Sequence, residues 1–147
     1  MSNKEILLVE DNPSDVELTK RAFEKSGITN PLVVANDGKE ALDYLFAAGK
    51  FKDRSINNLP VLVLLDLQLP IINGLTVLKH IRNNPLTKKL VVVILTTSIE
   101  QQDVAAAYDL GVNSYIRKPV DFIEFTNVIK QLGNYWLQLN QTLPASN

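Results

Sequence analysis

The stretch "PVLVLLDLQLP", Pro60 to Pro70, decides how this chain is read. Val61 to Leu65 are all apolar and mostly branched, with no polar alternation, the mark of a strand covered on both faces in a parallel sheet. Asp66 then closes the run with a carboxylate that an apolar interior would expel unless it is partnered. Similar runs stand at "ILLVE" (6–10), "PLVVA" (31–35) and "KLVVVILTT" (89–97), with a shorter, more polar one at "NSYIRKP" (113–119).

Helical stretches separate these runs, each with its own start and stop signals. Asn12 followed by Pro13 opens "PSDVELTKRAFEKSG", which Gly27 closes. Asp37 caps "GKEALDYLFAAG", ending at Gly49, and Asn73 caps "GLTVLKHIRNN", stopped by Pro85. "EQQDVAAAYDLG" ends at Gly111, and "DFIEFTNVIKQLGNYWLQL" is the last helix. Five strand-helix repeats with short connections imply parallel strands joined by right-handed crossovers. The expected fold is α/β, a doubly wound five-stranded parallel sheet in the flavodoxin-like order 2-1-3-4-5. The polar segment "GKFKDRSINNLP" (49–60) reads as a surface loop, and residues 1–147 as a single domain with only a short polar tail, "NQTLPASN", after the last helix.

Composition removes several functions. Net charge is −1, so no overall field draws nucleic acid or an anionic membrane. The absence of cysteine excludes disulfides, thiolate metal sites and thiol catalysis. The apolar run in "MSNKEILLVED" is too short for a signal peptide, and no segment has the length of a membrane span, so a cytoplasmic location is expected.

Ligands of an open parallel sheet bind at the carboxyl ends of its strands. Those ends carry Glu10-Asp11, Asp66, Thr96-Thr97 and Lys118-Pro119. Clustered carboxylates repel one another unless a cation joins them. Hard oxygen ligands without imidazole or thiolate suit Mg²⁺. A carboxylate also serves as a nucleophile toward a phosphoryl group, whose oxygens then need neutralising by metal, ammonium and hydroxyl. Singly, each residue has a bland explanation: Asp66 as a turn residue, Lys118 as a surface lysine, Thr96 as β-propensity. Their joint placement at strand ends makes the case. His80, the only histidine, lies inside the third helix and reads as a surface or half-buried residue, so any phosphate must come from outside.

These motifs, "ED", "DLQLP" with "NG", "ILTTS", "SYIRKP" and "ANDGKEAL", resemble the receiver domains of two-component response regulators over essentially the whole chain. The resemblance implies Mg²⁺ held by Glu10, Asp11, Asp66 and the Gln68 main-chain carbonyl. It implies Asp66 as acceptor of phosphate from a sensor histidine kinase, with Lys118 and Thr96 on the phosphoryl group. Thr96 and Tyr115 would be the switch pair, and Lys118-Pro119 a cis peptide. A narrower likeness, carried by "LVEDNPSDVELTKRAF", the long loop, "YDLGVNSYI" and the final helix through "YW" to "TLP", is to the stand-alone regulators of cyanobacterial phytochromes. It implies a phytochrome-type kinase as partner. Thr97 and Asn73 depart from the common family residues at their positions without removing a reactive group.

Rival functions fit less well. A phosphatase of the haloacid dehalogenase type needs an acid two residues beyond its nucleophile, where this chain has Gln68. No glycine-rich phosphate loop follows any strand. A relay step toward a phosphotransfer protein, and an interaction module that is never phosphorylated, stay open as alternatives. In the last helix Phe122, Phe125, Ile129, Leu132, Trp136 and Leu139 are spaced 3, 4, 3, 4, 3. Phe122 to Ile129 are expected on the sheet and the last turns beyond it. Tyr108, Phe125, Tyr135, Trp136 and Leu139 are the expected surface for a homodimer or another partner.

Overall fold

The computed structural model describes residues 5–141. Five parallel strands, β1 (Ile6–Val9), β2 (Leu32–Ala35), β3 (Leu62–Leu65), β4 (Val92–Thr96) and β5 (Ser114–Arg117), form one sheet in the order β2-β1-β3-β4-β5. The helices are α1 (Pro13–Lys25), α2 (Gly38–Leu45), α3 (Gly74–Asn83), α4 (Gln101–Asp109) and α5 (Phe122–Gly133). The expected class and strand order are those observed. The expected polar tail falls mainly on residues 142–147, outside the described residues.

Strand parity divides the core. Leu7, Val9, Val63, Leu65, Val92 and Ile94 pack with α2, α3 and α4 on one face. Ile6, Leu8, Leu62, Leu64, Val93 and Leu95 pack with α1 and α5 on the other. Side chains alternate across a strand, so β1, β3 and β4 feed both cores, and their unbroken apolar runs follow from that. The edge strands β2 and β5 are only partly covered, in keeping with the more polar run of β5.

The helix starts match their caps. Asn12 Oδ1 accepts from Ser14 N and Asp15 N, Asp37 from Glu40 N, Asn73 from Thr76 N and Asp121 from Glu124 N. The ends differ in two helices. α2 stops at Leu45 instead of running to Gly49, because Ala47 turns to φ 52° and Ala48 N–H reaches back to Asp43 O at 2.8 Å. α5 changes pitch after Gly133 into a π-helical segment, Asn134–Leu139, closed by Asn140 N–H on Tyr135 O at 2.7 Å.

Segment 49–60 is a surface loop, but an anchored one. It opens with a 3₁₀ turn, Gly49–Phe51, whose Phe51 ring meets Tyr44 edge-on at 5.1 Å. The Arg54 guanidinium lies 3.9 Å over the Tyr44 ring and donates to the carbonyls of Tyr44 and Asn58. Among the described residues all peptide bonds are trans, Lys118–Pro119 included, so the expected cis bond is not found. Trans is the preferred X–Pro isomer, and in it the Lys118 N–H already pairs with Thr96 O at 2.7 Å.

Candidate functional site

Parity also builds the site. Glu10, Asp66 and Lys118 continue the even-numbered positions of β1, β3 and β5, so all three emerge toward the α1/α5 face. Each is nearly buried, at 4%, 8% and 6% exposure. Lys118 Nζ donates to Glu10 Oε1 at 2.6 Å, to Asp66 Oδ2 at 3.2 Å and to Asp15 Oδ2 at 2.9 Å. An ammonium has three N–H donors, and here a different carboxylate takes each. That answers the problem Asp66 poses in the sequence: the carboxylate ends a core strand because a buried cation stands beside it.

Asp11 points outward, yet one oxygen each of Glu10, Asp11 and Asp66 lie within 4.8 Å of one another. Three carboxylate oxygens without nitrogen or sulfur form a donor set that fits a hard divalent cation. Gln68 is exposed two residues beyond Asp66, and its main-chain N–H donates to Asp66 Oδ1 at 3.2 Å. That bond fixes the carboxylate plane while leaving Oδ2 to Lys118.

The electrostatics follow from burial with too little positive charge. Burial, opposed by Lys118 and reinforced by Asp66, pushes Glu10 up to about 7. Burial works to lower the Lys118 ammonium, but the hydrogen bonds and charges of Glu10, Asp15 and Asp66 outweigh it and hold it above its usual value. Lys118 therefore stays cationic, and Glu10 is the acid on which the cost of burial falls.

Thr96 continues Val92 and Ile94 of β4, and with Tyr115 of β5 it lies on the opposite face of the sheet, toward α4. Thr96 is fully buried, and its Oγ1 lies 3.5 Å from Ser98 N. The half-buried Tyr115 donates its hydroxyl to Ser98 O at 2.8 Å, and Ser98 Oγ donates to Asp103 Oδ2 at 2.6 Å. Burial, with Asp103 and Asp66 adding, raises the Tyr115 phenol, so it remains a donor. The β4–α4 turn thus joins Thr96 to Tyr115 through Ser98. Ser98 was not singled out in the sequence, and neither was Asp15. His80 is exposed in α3, away from the strand ends, as expected.

Close packing sets the position of the Asp66 loop. A Cβ on Gly74, the first residue of α3, would come 2.3 Å from Asp66 O and 2.6 Å from Leu67 Cα. Gly74 N–H donates to Leu67 O at 3.0 Å. Only glycine lets the start of α3 lie against the backbone that carries Asp66.

Comparison with known proteins agrees with this arrangement. The response regulator receiver domain family matches residues 6–130. This chain belongs to the receiver domain family. It is 37% identical to the response regulator Rcp1 of Synechocystis over 143 residues, 97% of this chain and 95% of that protein. It is 40% identical to the probable methanogenesis regulatory protein FilR2 of Methanothrix harundinacea over 137 residues, 93% and 86% of the two chains. Among solved structures, the phosphorylated cyanobacterial phytochrome response regulator RcpA superposes with a TM-score of 0.90 at 36% identity, covering 97% of this chain and all of that one. The Mn²⁺-bound form of Rcp1 does so with 0.88 at 35% identity, covering 96% of this chain and 99% of that one. The receiver is thus related to phytochrome response regulators. No helix among the described residues is long and apolar enough to cross a membrane.

Proposed function

We propose that this receiver is the phosphoacceptor of a two-component phosphorelay, taking a phosphoryl group onto Asp66 from the phosphohistidine of a sensor kinase. The observation that carries the reading is the buried contact of Lys118 Nζ with Asp66 Oδ2, beside the buried Glu10 and the exposed Asp11. An aspartate at a strand end with an ammonium beside it and two further acids is arranged for acyl phosphate chemistry. Asp66 attacks phosphorus, the new P–O bond forms as the P–N bond breaks, and the departing imidazole keeps the bonding pair. Lys118 swings its donors from Asp66 and Glu10 onto the phosphoryl oxygens. Thr96 supplies a hydroxyl from β4, within reach of the turn that Tyr115 holds. Mg²⁺ on Glu10, Asp11, Asp66 and the Gln68 carbonyl would neutralise the transferring group. Gln68 offers no acid for rapid turnover, so the aspartyl phosphate is kept and the protein acts as a signal carrier rather than as an enzyme.

The relatives named above support a phytochrome-type kinase as the donor. We place the domain at residues 1–147 and the output in its surface, through the α4, β5 and α5 face, where a second copy is the proposed partner. Incubation with the labelled phosphohistidine form of a phytochrome kinase should move phosphate onto the wild type. Asp66→Asn should take none while keeping its thermal midpoint. Label on the variant, or none on either protein with any phosphodonor, would overturn the assignment.

A further inference from the structure

Asp15 is the one partner of Lys118 that the proposed chemistry does not use. The first turn of α1 carries it, and that turn is set by the Asn12 cap and by Pro13. Its carboxylate lies outside the group of oxygens formed by Glu10, Asp11 and Asp66. It nevertheless holds the Lys118 ammonium at 2.9 Å, with about a quarter of its side chain in solvent. Helix α1 packs against α5 on the face toward which Lys118 emerges, and the helix N-terminus favours a carboxylate at this position.

We infer that Asp15 is a positioning residue, a fixed tether that keeps the Lys118 ammonium aimed at the phosphoryl group on Asp66. The inference rests on the phosphoacceptor reading and deepens it. Before transfer the three donors of Lys118 go to Glu10, Asp66 and Asp15. Once a cation claims Glu10 and the phosphoryl group occupies Asp66, two of those acceptors are withdrawn. Asp15 is the acceptor left that takes no part in the reaction. Without it a four-carbon side chain regains rotamer freedom at the moment when its placement counts. Asp15 also adds negative charge, which disfavours a phosphoryl anion. The ammonium stands between the two, and solvent screens the partly exposed carboxylate, so direct contact outweighs repulsion.

The test compares wild type, Asp15→Asn, Asp15→Ala, Lys118→Ala and the Asp15→Ala, Lys118→Ala double variant. Initial rates of Asp66 phosphorylation by phosphoramidate at saturating Mg²⁺ are read beside calorimetric Mg²⁺ affinity. Asp15→Ala should lose about tenfold in rate, the weight of one charged hydrogen bond, with Mg²⁺ affinity changed less than about twofold. Asp15→Asn keeps a side-chain oxygen acceptor and should recover most of the rate. In the Lys118→Ala background, Asp15→Ala should cost nothing further, because a tether without its cargo has no effect. An equal loss in both backgrounds, or a parallel loss of Mg²⁺ affinity, would show a structural role and overturn the inference. A faster Asp15→Ala would show that Asp15 competes with phosphate for the ammonium, which also overturns it. If wild type is phosphorylated and the Asp15 variants match it, this inference alone falls. If wild type takes up no phosphate, the phosphoacceptor reading falls with it.

Discussion

Ile71 carries a β-branched side chain at φ 69° in the loop that leads from Asp66 to α3, and Ile72 N–H closes a three-residue turn on Pro70 O at 2.8 Å. A turn of this kind with positive φ at its centre is strained, and the left-handed region costs a side-chain-bearing residue about 1–2 kcal/mol. Ile71 is 75% exposed, so its packing returns little of that cost. Glycine relieves the strain but is about 0.5–1 kcal/mol more costly to order. Ile71→Gly should therefore raise stability by about 0.5–1 kcal/mol, a gain of roughly 2 °C in thermal midpoint for a chain of this length. A calorimetric scan showing a lower midpoint would mean that Ile71 gains more from its surroundings than its exposure implies. Strain gathers at this loop for the same reason that charge does. Asp66, Gln68, Ile71 and Gly74 lie within nine residues of one chain segment, and that segment must bring a carboxylate out of a core strand and turn at once into a helix. Much of this was legible. A carboxylate after five apolar residues marks a site, and the parity of residues 6, 8 and 10 against 62, 64 and 66 places two acids on one face. Asp15 was hidden because its contact depends on the rotation of α1 about its axis, which the cap suggests but only packing on α5 sets. The "DNPSD" spacing held the signal: an acid at the third helical position immediately after an acidic strand end.

Helix α3 shows how an element's first residue governs the site. Its start abuts Asp66 O and Leu67 Cα so closely that a single methyl group has no room, and both neighbours are backbone. Gly74→Ala must move either the helix or the Asp66 loop. Overpacking of this kind costs about 1–3 kcal/mol, and here the displaced atoms carry Asp66, the proposed phosphoacceptor. The expected outcome is a thermal midpoint lower by several degrees together with weaker Mg²⁺ binding, read by melting and calorimetry. A midpoint loss with unchanged Mg²⁺ affinity would show the helix yielding instead of the loop. Element order and type were open to sequence reading, because caps such as Asn12, Asp37 and Asn73 and unbroken apolar runs are local signals. Element ends were less so. The stop of α2 at Leu45 rests on the positive φ of Ala47, and alanine carries no mark of that conformation. The loop at 49–60 reads as a polar surface loop, yet Arg54 and Phe51 enclose Tyr44 from two sides. That contact joins a helix residue to the loop after it through ring geometry, which no periodicity encodes.

At the scale of the molecule, the question is what covers the far end of α5. Its spacing pattern runs from Phe122 to Leu139, but the sheet does not cover that stripe in the expected way. Phe122 is 37% exposed, with the Lys25 ammonium 5.6 Å over its ring, so it does not pack on the sheet. Phe125, expected on the partner surface, is 3% exposed in the α1/α5 core and is unavailable to a partner. A repeat of three and four residues defines a stripe, and only the sheet's width and the angle of α5 decide which part is buried. Trp136 is half-buried against that same core, meeting Tyr135 edge-on at 4.8 Å. Tyr108, Tyr135 and Leu139 remain exposed. A groove beside β5, lined by Ile116, Val128, Leu132, Tyr135 and Trp136, runs along a strand that, among the described residues, pairs only with β4. An open strand edge beside exposed aromatics is a surface that soluble proteins usually cover, and two-fold pairing is the commonest closure for a single kind of chain. The proposed homodimer therefore centres on β5 and the π-helical end of α5, with Tyr108 of α4 at its margin. The Tyr135→Ala, Leu139→Ala double variant removes two exposed side chains and should leave the melting midpoint of the monomer nearly unchanged. Its dimer should weaken tenfold or more, since aromatic anchors carry much of an interface's energy. Sedimentation of wild type and variant, each with and without phosphate on Asp66, measures the association, and thermal melting measures the midpoint. A wild type that stays monomeric at tens of micromolar in both states would leave this face to a different protein, and an unweakened variant would move the contact elsewhere on the α4, β5 and α5 face.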